Sequence, residues 1–335
     1  MKILITGGYG NISWWCTKRA LELGHDVYIL NREQTRLTRR EIPKEAFVIN
    51  ADYKDFYSVK ECISKYSFDV VCDFLCQGKE DAQRTYELFK NKTKQYILIS
   101  SESVYKRVPD DEPMSENAQK YELSEVSPYI LGKLESEQFL TDKCNSEKFP
   151  LIIVRPGYTL DTILPYSIGQ NCYTVANRYL NGKPILIAGN GENLWTFTHS
   201  SDFANAFVCL FGGRDLSGES FNIMGDTVVS FNKMMKVLAK ELRNTEPYFL
   251  HIPYQDALHL SQFMPNDLMK QRMQNAIFDT SKIKSLVPDW KTNKNEEDIV
   301  RIAIKWLNED VRRIRINQEL DNKLEDLTKK YRDTL

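Results

Sequence analysis

The chain has 335 residues, 42% apolar and 27% charged, with a formal net charge of −1. This length implies one large α/β domain with an appended lobe, or two domains, and the apolar content supports a full core. The near-neutral charge gives no electrostatic case for nucleic acid or membrane as principal partner. No apolar run is long enough to span a bilayer and the apolar start is too short for a signal peptide, so a cytoplasmic protein is expected.

A short apolar run, Ile3 to Ile5, breaks into Gly7-Gly8-Tyr9-Gly10 and then enters an apolar helical pattern from Ile12 to Leu23. Strand, glycine turn and helix in that order let the backbone approach a pyrophosphate, with the helix N-terminus offering N–H groups and partial positive charge. A strand from Asp26 to Leu30 completes a βαβ unit and predicts a dinucleotide-binding Rossmann half. Ser13 stands where a third glycine is usual; serine is small enough to keep helix and strand close. Asn31 and Arg32 end the second strand, where the adenosine ribose is read. An amide can bind an NAD ribose and an arginine can pair with a 2′-phosphate, so the cofactor is NAD or NADP. The basic cluster Arg36, Arg39, Arg40 reads as a solvated loop face or a cofactor edge.

Ala46 to Asn50 predicts a third strand. Asp52 follows, placed to accept from an adenine amino group, and Asp55 caps a helix over Phe56 to Tyr66. Phe68 to Leu75 reads as a buried strand, Glu80 to Lys90 as a helix, and Gln95 to Ser100 as another strand. A loop from Lys106 to Ser127, with Pro109 and Pro113, leads to a helix from Pro128 to about Lys143. Leu151 to Val154 is a further strand, ending at Arg155-Pro156-Gly157. This alternation predicts an α/β fold, a doubly wound parallel sheet, over residues 1–160, with the sheet completed by later segments near 194–225.

From Asp161 to Gln170 the chain is expected to border the substrate pocket. Cys172 to Leu180 reads as helix, and Pro184 to Ile187 and Leu194 to His199 as strands. A helix from Phe203 to Phe211 is capped by Ser201 or Asp202. Phe221 to Gly225 is a strand, and Ser230 starts a helix to about Arg243. Residues 161–310 form a smaller, interleaved mixed α/β substrate lobe. The tail is helical from Glu296. Val311, Ile314, Leu320, Leu324, Leu327, Tyr331 and Leu335 recur at roughly helical spacing and predict an amphipathic helix over 311–335 that packs on the body or on a second subunit. The seven cysteines contain no C-x-x-C pair. Cys72 and Cys76 lack a histidine or second pair, so free thiols are expected and no metal site.

Three pieces converge on hydride transfer at a carbinol carbon: the glycine turn, Ser101 after a middle strand, and Tyr129-x-x-x-Lys133 at a helix start. Free tyrosine titrates near roughly pH 10 and needs a nearby cation to act as a base at neutral pH. Lys133, one turn on, is expected to supply that charge and hold the nicotinamide ribose, with Ser101 on the reacting oxygen. Tyr86-x-x-x-Lys90 matches the same pattern but precedes the serine strand, and reads as structural.

These residues carry a resemblance. Thr6-Gly7-Gly8-Tyr9-Gly10, Asp52, Ser100-Ser101-Glu102-Ser103-Val104-Tyr105, Tyr129-x-x-x-Lys133, Arg155-Pro156-Gly157 and Thr198-His199-Ser200-Ser201-Asp202-Phe203-Ala204 resemble the extended short-chain dehydrogenase/reductase superfamily, in its NAD-dependent epimerase/dehydratase branch, over about residues 1 to 310. Leu194 to His199 and Phe221-Asn222-Ile223 are also similar to an atypical subgroup that includes chloroplast stem-loop RNA-binding proteins.

The resemblance implies a nucleotide-sugar substrate. It implies cofactor contacts from Gly7, Tyr9, Gly10, Asn11 and Ile12, from Asn31, Arg32, Asp52 and Tyr53, and from Ser100, Tyr129, Lys133 and Pro156. Ser101, Tyr129, Lys133 and Glu102 are the candidate catalytic set. Arg178 and Arg272 are the candidates for the substrate pyrophosphate, and a homodimer through the Tyr129 helix is implied. Sugar dehydratases of the family carry an adjacent Asp-Glu pair after the catalytic Ser/Thr. Glu102 and Ser103 stand there instead, which favours epimerisation or ketoreduction, with Glu102 either an auxiliary acid/base or a solvent-facing acid.

Overall fold

The fully buried run Ile3-Leu4-Ile5 belongs to β1 (Lys2–Thr6), which lies inside a parallel sheet with neighbours on both sides. In the computed structural model the described residues are 1–32, 39–107, 112–169, 172–243 and 245–332; Arg36, Pro109, Gln170 and Leu335 lie outside them. After β1 come α1 (Ser13–Glu22), β2 (Asp26–Asn31), β3 (Phe47–Asn50), α2 (Phe56–Cys62), β4 (Val70–Asp73), α3 (Lys79–Phe89), β5 (Tyr96–Ile99), α4 (Pro128–Glu147) and β6 (Leu151–Pro156). The second half runs β7 (Tyr158–Leu160), α5 (Thr174–Leu180), β8 (Ile185–Ala188), β9 (Leu194–His199), α6 (Ser200–Phe207), β10 (Ser220–Ile223), β11 (Thr227–Ser230), α7 (Phe231–Arg243) and β12 (Phe249–Ile252). It ends with α8 (Tyr254–Ala257), α9 (Asn266–Arg272), α10 (Ser281–Leu286), α11 (Glu296–Asn308) and α12 (Gln318–Arg332).

The main sheet has the order β10-β6-β5-β4-β1-β2-β3, and every pairing in it is parallel. From β1 the chain proceeds outward through β2 and β3, then returns to β4 on the other side. The order therefore reverses between β1 and β4, and the crevice at their carboxyl ends is where such a fold receives a ligand. Strand alternation separates two apolar layers. Ile3, Ile5 and Cys72 pack beneath α1 and α6, and Leu4, Leu30 and Val71 pack beneath α2 and α3. β9 pairs with β7 and β11 in a second sheet, and β8 with β12 in a third, over a separate core.

Two local expectations change. The cap of α6 is the His199 imidazole, whose Nδ1 accepts from Ser201 N at 3.2 Å, rather than Ser201 or Asp202. Asp202 instead accepts from Asn293 N and Lys294 N. The tail is not one helix over 311–335. Asp310 accepts from Arg312 N and closes a single 3₁₀ turn at Val311–Arg313, leaving Val311 77% exposed. Helix resumes at Gln318, where Leu320, Leu324 and Leu327 join the lobe core. Among the described residues, no helix is long and apolar enough to cross a membrane.

Candidate active site

A cleft of about 850 Å³ opens at the carboxyl ends of the central strands. Its floor is the glycine turn. Gly7 and Gly8 have φ of +85° and +51°, a region that L side chains rarely adopt. A Cβ on Gly8 would come within 2.5 Å of the Ile29 side chain. Ser13 explains itself here: its Oγ accepts from Gly10 N at 2.9 Å and closes the turn that a third glycine would leave open. No side chain caps α1, and Asn11, Ile12 and Ser13 at its N-terminus line the cleft, a place that suits an anion. Tyr9, Asn11 and Ile12 line the same place. The Asn11 side chain, however, is committed to the protein. Its Nδ2 donates to Thr159 O at 2.8 Å, and its Oδ1 accepts from Asp161 N and Thr162 N. Asn11 thus ties the glycine turn to the segment after β7.

At the outer end, Asn31, Arg32, Arg39, Asp52, Tyr53 and Lys54 line the cleft. Arg32 Nη1 lies 3.4 Å from Asp52 Oδ2, and Lys54 N donates to Asp52 Oδ1 at 3.0 Å. The Tyr53 hydroxyl turns inward and donates to Asp73 at 2.8 Å. Burial, with the Asp73 charge second, pushes its pKa well above the usual value. Arg40 is neither a solvated face nor a cofactor edge. It donates twice, at 2.7 Å each, to Asp161, a buried carboxylate. Burial raises the Asp161 pKa, but the hydrogen bonds and charge of Arg40, with His199 and Trp15 nearby, outweigh it and hold the group below the usual range.

At the inner end, β5 delivers Ser100 and Ser101, and Pro128 at the first turn of α4 starts the helix that carries Tyr129 and Lys133. Ser101 and Ser103 beside the Tyr129 hydroxyl favour its ionised form. Ser103 Oγ also donates to Ser101 Oγ at 2.8 Å. Lys133 Nζ donates to Cys76 O at 2.7 Å and Ile99 O at 3.0 Å. An ammonium has three donors, so one is left for a ligand.

The expectation that Lys133 lowers the Tyr129 pKa is not met in this state. Desolvation raises Tyr129, more than the neighbouring Ser101 hydroxyl lowers it, and Glu102 adds to the rise. Burial likewise lowers Lys133. Glu102 does not line the cleft. It is buried and ion-paired with Arg107, whose guanidinium lies over the Trp195 and Phe278 rings, so it is neither solvent-facing nor free to act on a ligand.

The two arginines assigned to substrate are also elsewhere. Arg178 is buried and donates to Asp321 at 2.7 Å and Thr328 at 2.9 Å, fastening α12 to α5. Arg272 stacks over Tyr158 at 4.0 Å and Trp195 at 4.5 Å, outside the cleft. In their place the strap between α11 and α12 brings Arg313 and Arg315 to the cleft wall. Arg313 stacks on Trp306 and pairs with Glu309. Arg315 O accepts from Tyr173 N at 2.8 Å, and its exposed guanidinium has no ion pair among the described residues. No motif marks these two arginines in the sequence. Asp52 is the only acid among the described lining residues, against the cations Arg32, Arg39, Lys54, Lys133, Arg313 and Arg315. Within a chain of net charge −1, that concentrates positive potential where ligands enter.

A glycine turn without Cβ atoms, an uncapped helix N-terminus and a cationic wall together fit a dinucleotide. A profile of the NAD dependent epimerase/dehydratase family matches residues 3–223. The chain belongs to this family. Its sheet is the Rossmann sheet of that family, and the chain spans less than two thirds of the length of the curated relatives it matches. The solved dTDP-glucose 4,6-dehydratase of Bacillus anthracis, in complex with NAD, superposes with a TM-score of 0.73 at 16% identity, over 93% of this chain and 98% of that one. UDP-glucuronic acid 4-epimerase of Bacillus cereus, also with NAD, gives 0.70 at 19% identity, over 92% and 99%. In sequence the chain is 28% identical, over 263 residues, to the chloroplast stem-loop binding protein of 41 kDa b of Arabidopsis thaliana; the match covers 75% of this chain and 65% of that protein. Among the described residues, no group of three His, Cys, Asp or Glu side chains is arranged to hold a metal ion.

Proposed function

We propose that the chain interconverts epimers of a nucleoside-diphosphate sugar, oxidising one carbinol to a ketone and reducing it again from the opposite face. The observation that carries this reading is that Tyr129, Ser101 and Lys133 line the same cleft as the glycine turn. Bound NAD(P) supplies a hydride acceptor and, when oxidised, a positive charge. With that positive charge in the cleft favouring the Tyr129 phenolate, Tyr129 Oη would take the proton of the sugar hydroxyl, and Ser101 Oγ would hold the same oxygen through oxidation and return. Lys133, anchored on two carbonyls, keeps a donor and a charge one helical turn from Tyr129. Arg313 and Arg315 are the cations we assign to the sugar nucleotide's phosphates, in place of Arg178 and Arg272.

The capture of Glu102 by Arg107 counts against dehydration, which needs a free carboxyl acid. Ketoreduction remains the nearer alternative and would consume NADPH stoichiometrically. The test is a panel of UDP- and dTDP-sugars with NAD or NADP, followed by NMR. Wild type is expected to equilibrate one epimer pair, and Tyr129→Phe to lose about 10²–10⁴-fold in rate. A protein that binds the cofactor but converts no sugar sinks the reading.

The stem-loop-binding relative favours a second reading, binding of structured RNA. A gel shift that weakens steeply with salt would support it. A cytoplasmic location and a homodimer belong to the epimerase reading; sedimentation as a monomer would remove the dimer.

A further inference from the structure

We propose that Asp267 and Gln271, on one face of α9, are positioning residues for Tyr129 and Ser101. The proposal rests on the epimerase reading of the cleft, in which those two side chains meet the sugar hydroxyl. Residues four apart in a helix point to one side. Here that side meets both reacting segments at once. Gln271 Nε2 donates to Ser103 O at 3.0 Å, in the 3₁₀ turn Glu102–Val104 that follows Ser101. Asp267 Oδ2 accepts from Ser127 N at 2.7 Å, and Ser127 immediately precedes α4, whose second residue is Tyr129.

Each contact fixes a point close to a reacting side chain. The Ser127 side chain does not cap α4, and its buried Oγ has no partner among the described residues. The Asp267 carboxylate stands at that helix N-terminus instead, where negative charge is favourable and fastens the first turn. Its Oδ1 accepts from Leu268 N at 2.8 Å, which turns Oδ2 toward Ser127. At the other segment, Ser103 N and Ser103 Oγ donate to Ser101 Oγ at 3.2 and 2.8 Å, so the direction of Ser101 depends on where the turn lies. Gln271 is 1% exposed, and a buried amide is costly unless it is hydrogen-bonded; its donor goes to this turn. α9 is itself held in place. Met269, between the two contacts in sequence, is buried in the core, and Arg272 stacks over Tyr158 at 4.0 Å and Trp195 at 4.5 Å. One anchored helix thus sets the spacing between Ser101 and Tyr129, where a misplacement of about 1 Å costs roughly 100-fold in rate.

The experiment compares wild type with Gln271→Met, which keeps the volume and loses the donor, and with Asp267→Ala. Two readings are taken on the full chain: kinetics on the sugar pair that wild type equilibrates, and difference titration of Tyr129 at the tyrosinate absorbance against the matching Tyr129→Phe protein. Each variant is expected to lose about 10- to 100-fold in kcat, with KM within about threefold. Asp267→Asn keeps an acceptor for Ser127 N and is expected to stay within about threefold of wild type. In Gln271→Met the Tyr129 titration is expected to move upward, because Ser101 and Ser103 favour the ionised form and are no longer held beside it. A wild-type kcat in either variant overturns the proposal, as does an unmoved Tyr129 titration in Gln271→Met. A lower melting temperature with both readings unchanged marks a packing role and overturns it too. If wild type converts no sugar, the epimerase reading fails by itself, and the titration alone decides whether α9 positions Tyr129 and Ser101.

Discussion

Gly132 sits so close to the carbonyl of Gln77 that a Cβ on it would stand 1.9 Å from that oxygen. α4 therefore approaches the loop after β4 at backbone distance, and this approach brings Lys133 Nζ to Cys76 O. Glycine at 132 is a condition for where Lys133 and Tyr129 stand. Gly132→Ala forces the helix outward, at a cost of about 1–3 kcal/mol or more, since backbone cannot step aside as a side chain can. Thermal melts would show the loss. Cofactor affinity is expected to fall in parallel, and an unchanged affinity would mean that the approach does not position Lys133.

Tyr129 ionisation follows from its surroundings. Desolvation raises its pKa above the ordinary 10.0, so the free protein holds the phenol neutral at working pH. A difference titration at the tyrosinate absorbance, wild type minus Tyr129→Phe, is expected to show the extra ionisation only above pH 10. A step below that pH in the free protein would contradict the burial argument.

Glu137 and Arg155 form a buried pair, with Arg155 donating at 2.8 Å to each carboxylate oxygen and at 2.8 Å to the Tyr105 hydroxyl. Burial alone would raise Glu137, but Arg155 and Lys120 outweigh it and hold the pKa at about 2, against an ordinary 4.5. A depressed carboxylate stabilises the fold above its unfolded pKa. That contribution is complete above about 4.5 and disappears as pH falls through about 2. Glu137→Gln leaves Arg155 unpaired in the core, at a cost of about 3–5 kcal/mol. Denaturant unfolding of this variant is expected to lose the wild-type dependence on pH between those values, and an unaltered dependence would assign it to other carboxylates.

Arg178→Leu tests whether that arginine fastens the tail or binds substrate. Its partners Asp321, Glu325 and Thr328 all lie on α12. Hydrogen exchange in residues 318–332 is expected to accelerate while cofactor affinity holds. Unchanged protection there would return Arg178 to the candidates for substrate.

Arg315→Ala addresses the strap. Its guanidinium lines the cleft without an ion pair among the described residues. The variant is expected to raise KM for the nucleotide sugar by about tenfold, equivalent to one charge-assisted contact, with cofactor affinity within about twofold. An unaffected KM would place the substrate phosphates elsewhere.

The motifs that could be read along the chain are those whose parts are close in sequence. Gly7 to Ser13 form one turn, and Tyr129 and Lys133 share one helix face, so spacing alone brought them together. The Arg40–Asp161 clamp, the bonds from Asn11 to the segment after β7, and the arrival of Arg313 and Arg315 depend on tertiary approach and leave no local pattern. Glu102 failed as a catalytic candidate because its direction depends on Arg107, five residues away in a buried turn. The tail misled because apolar spacing continues through Val311 and Ile314, while Asp310 breaks the helix with a local hydrogen bond that periodicity does not register.

The most direct measurement of transient oxidation uses a nucleotide sugar deuterated at the epimerised carbon, in ordinary water. Hydrogen taken from that carbon and returned within one closed cleft leaves the product fully deuterated at the same position, and Tyr129→Phe slows its formation by about 10²–10⁴-fold. Loss of deuterium to solvent, or a Tyr129→Phe rate equal to wild type, would contradict the account.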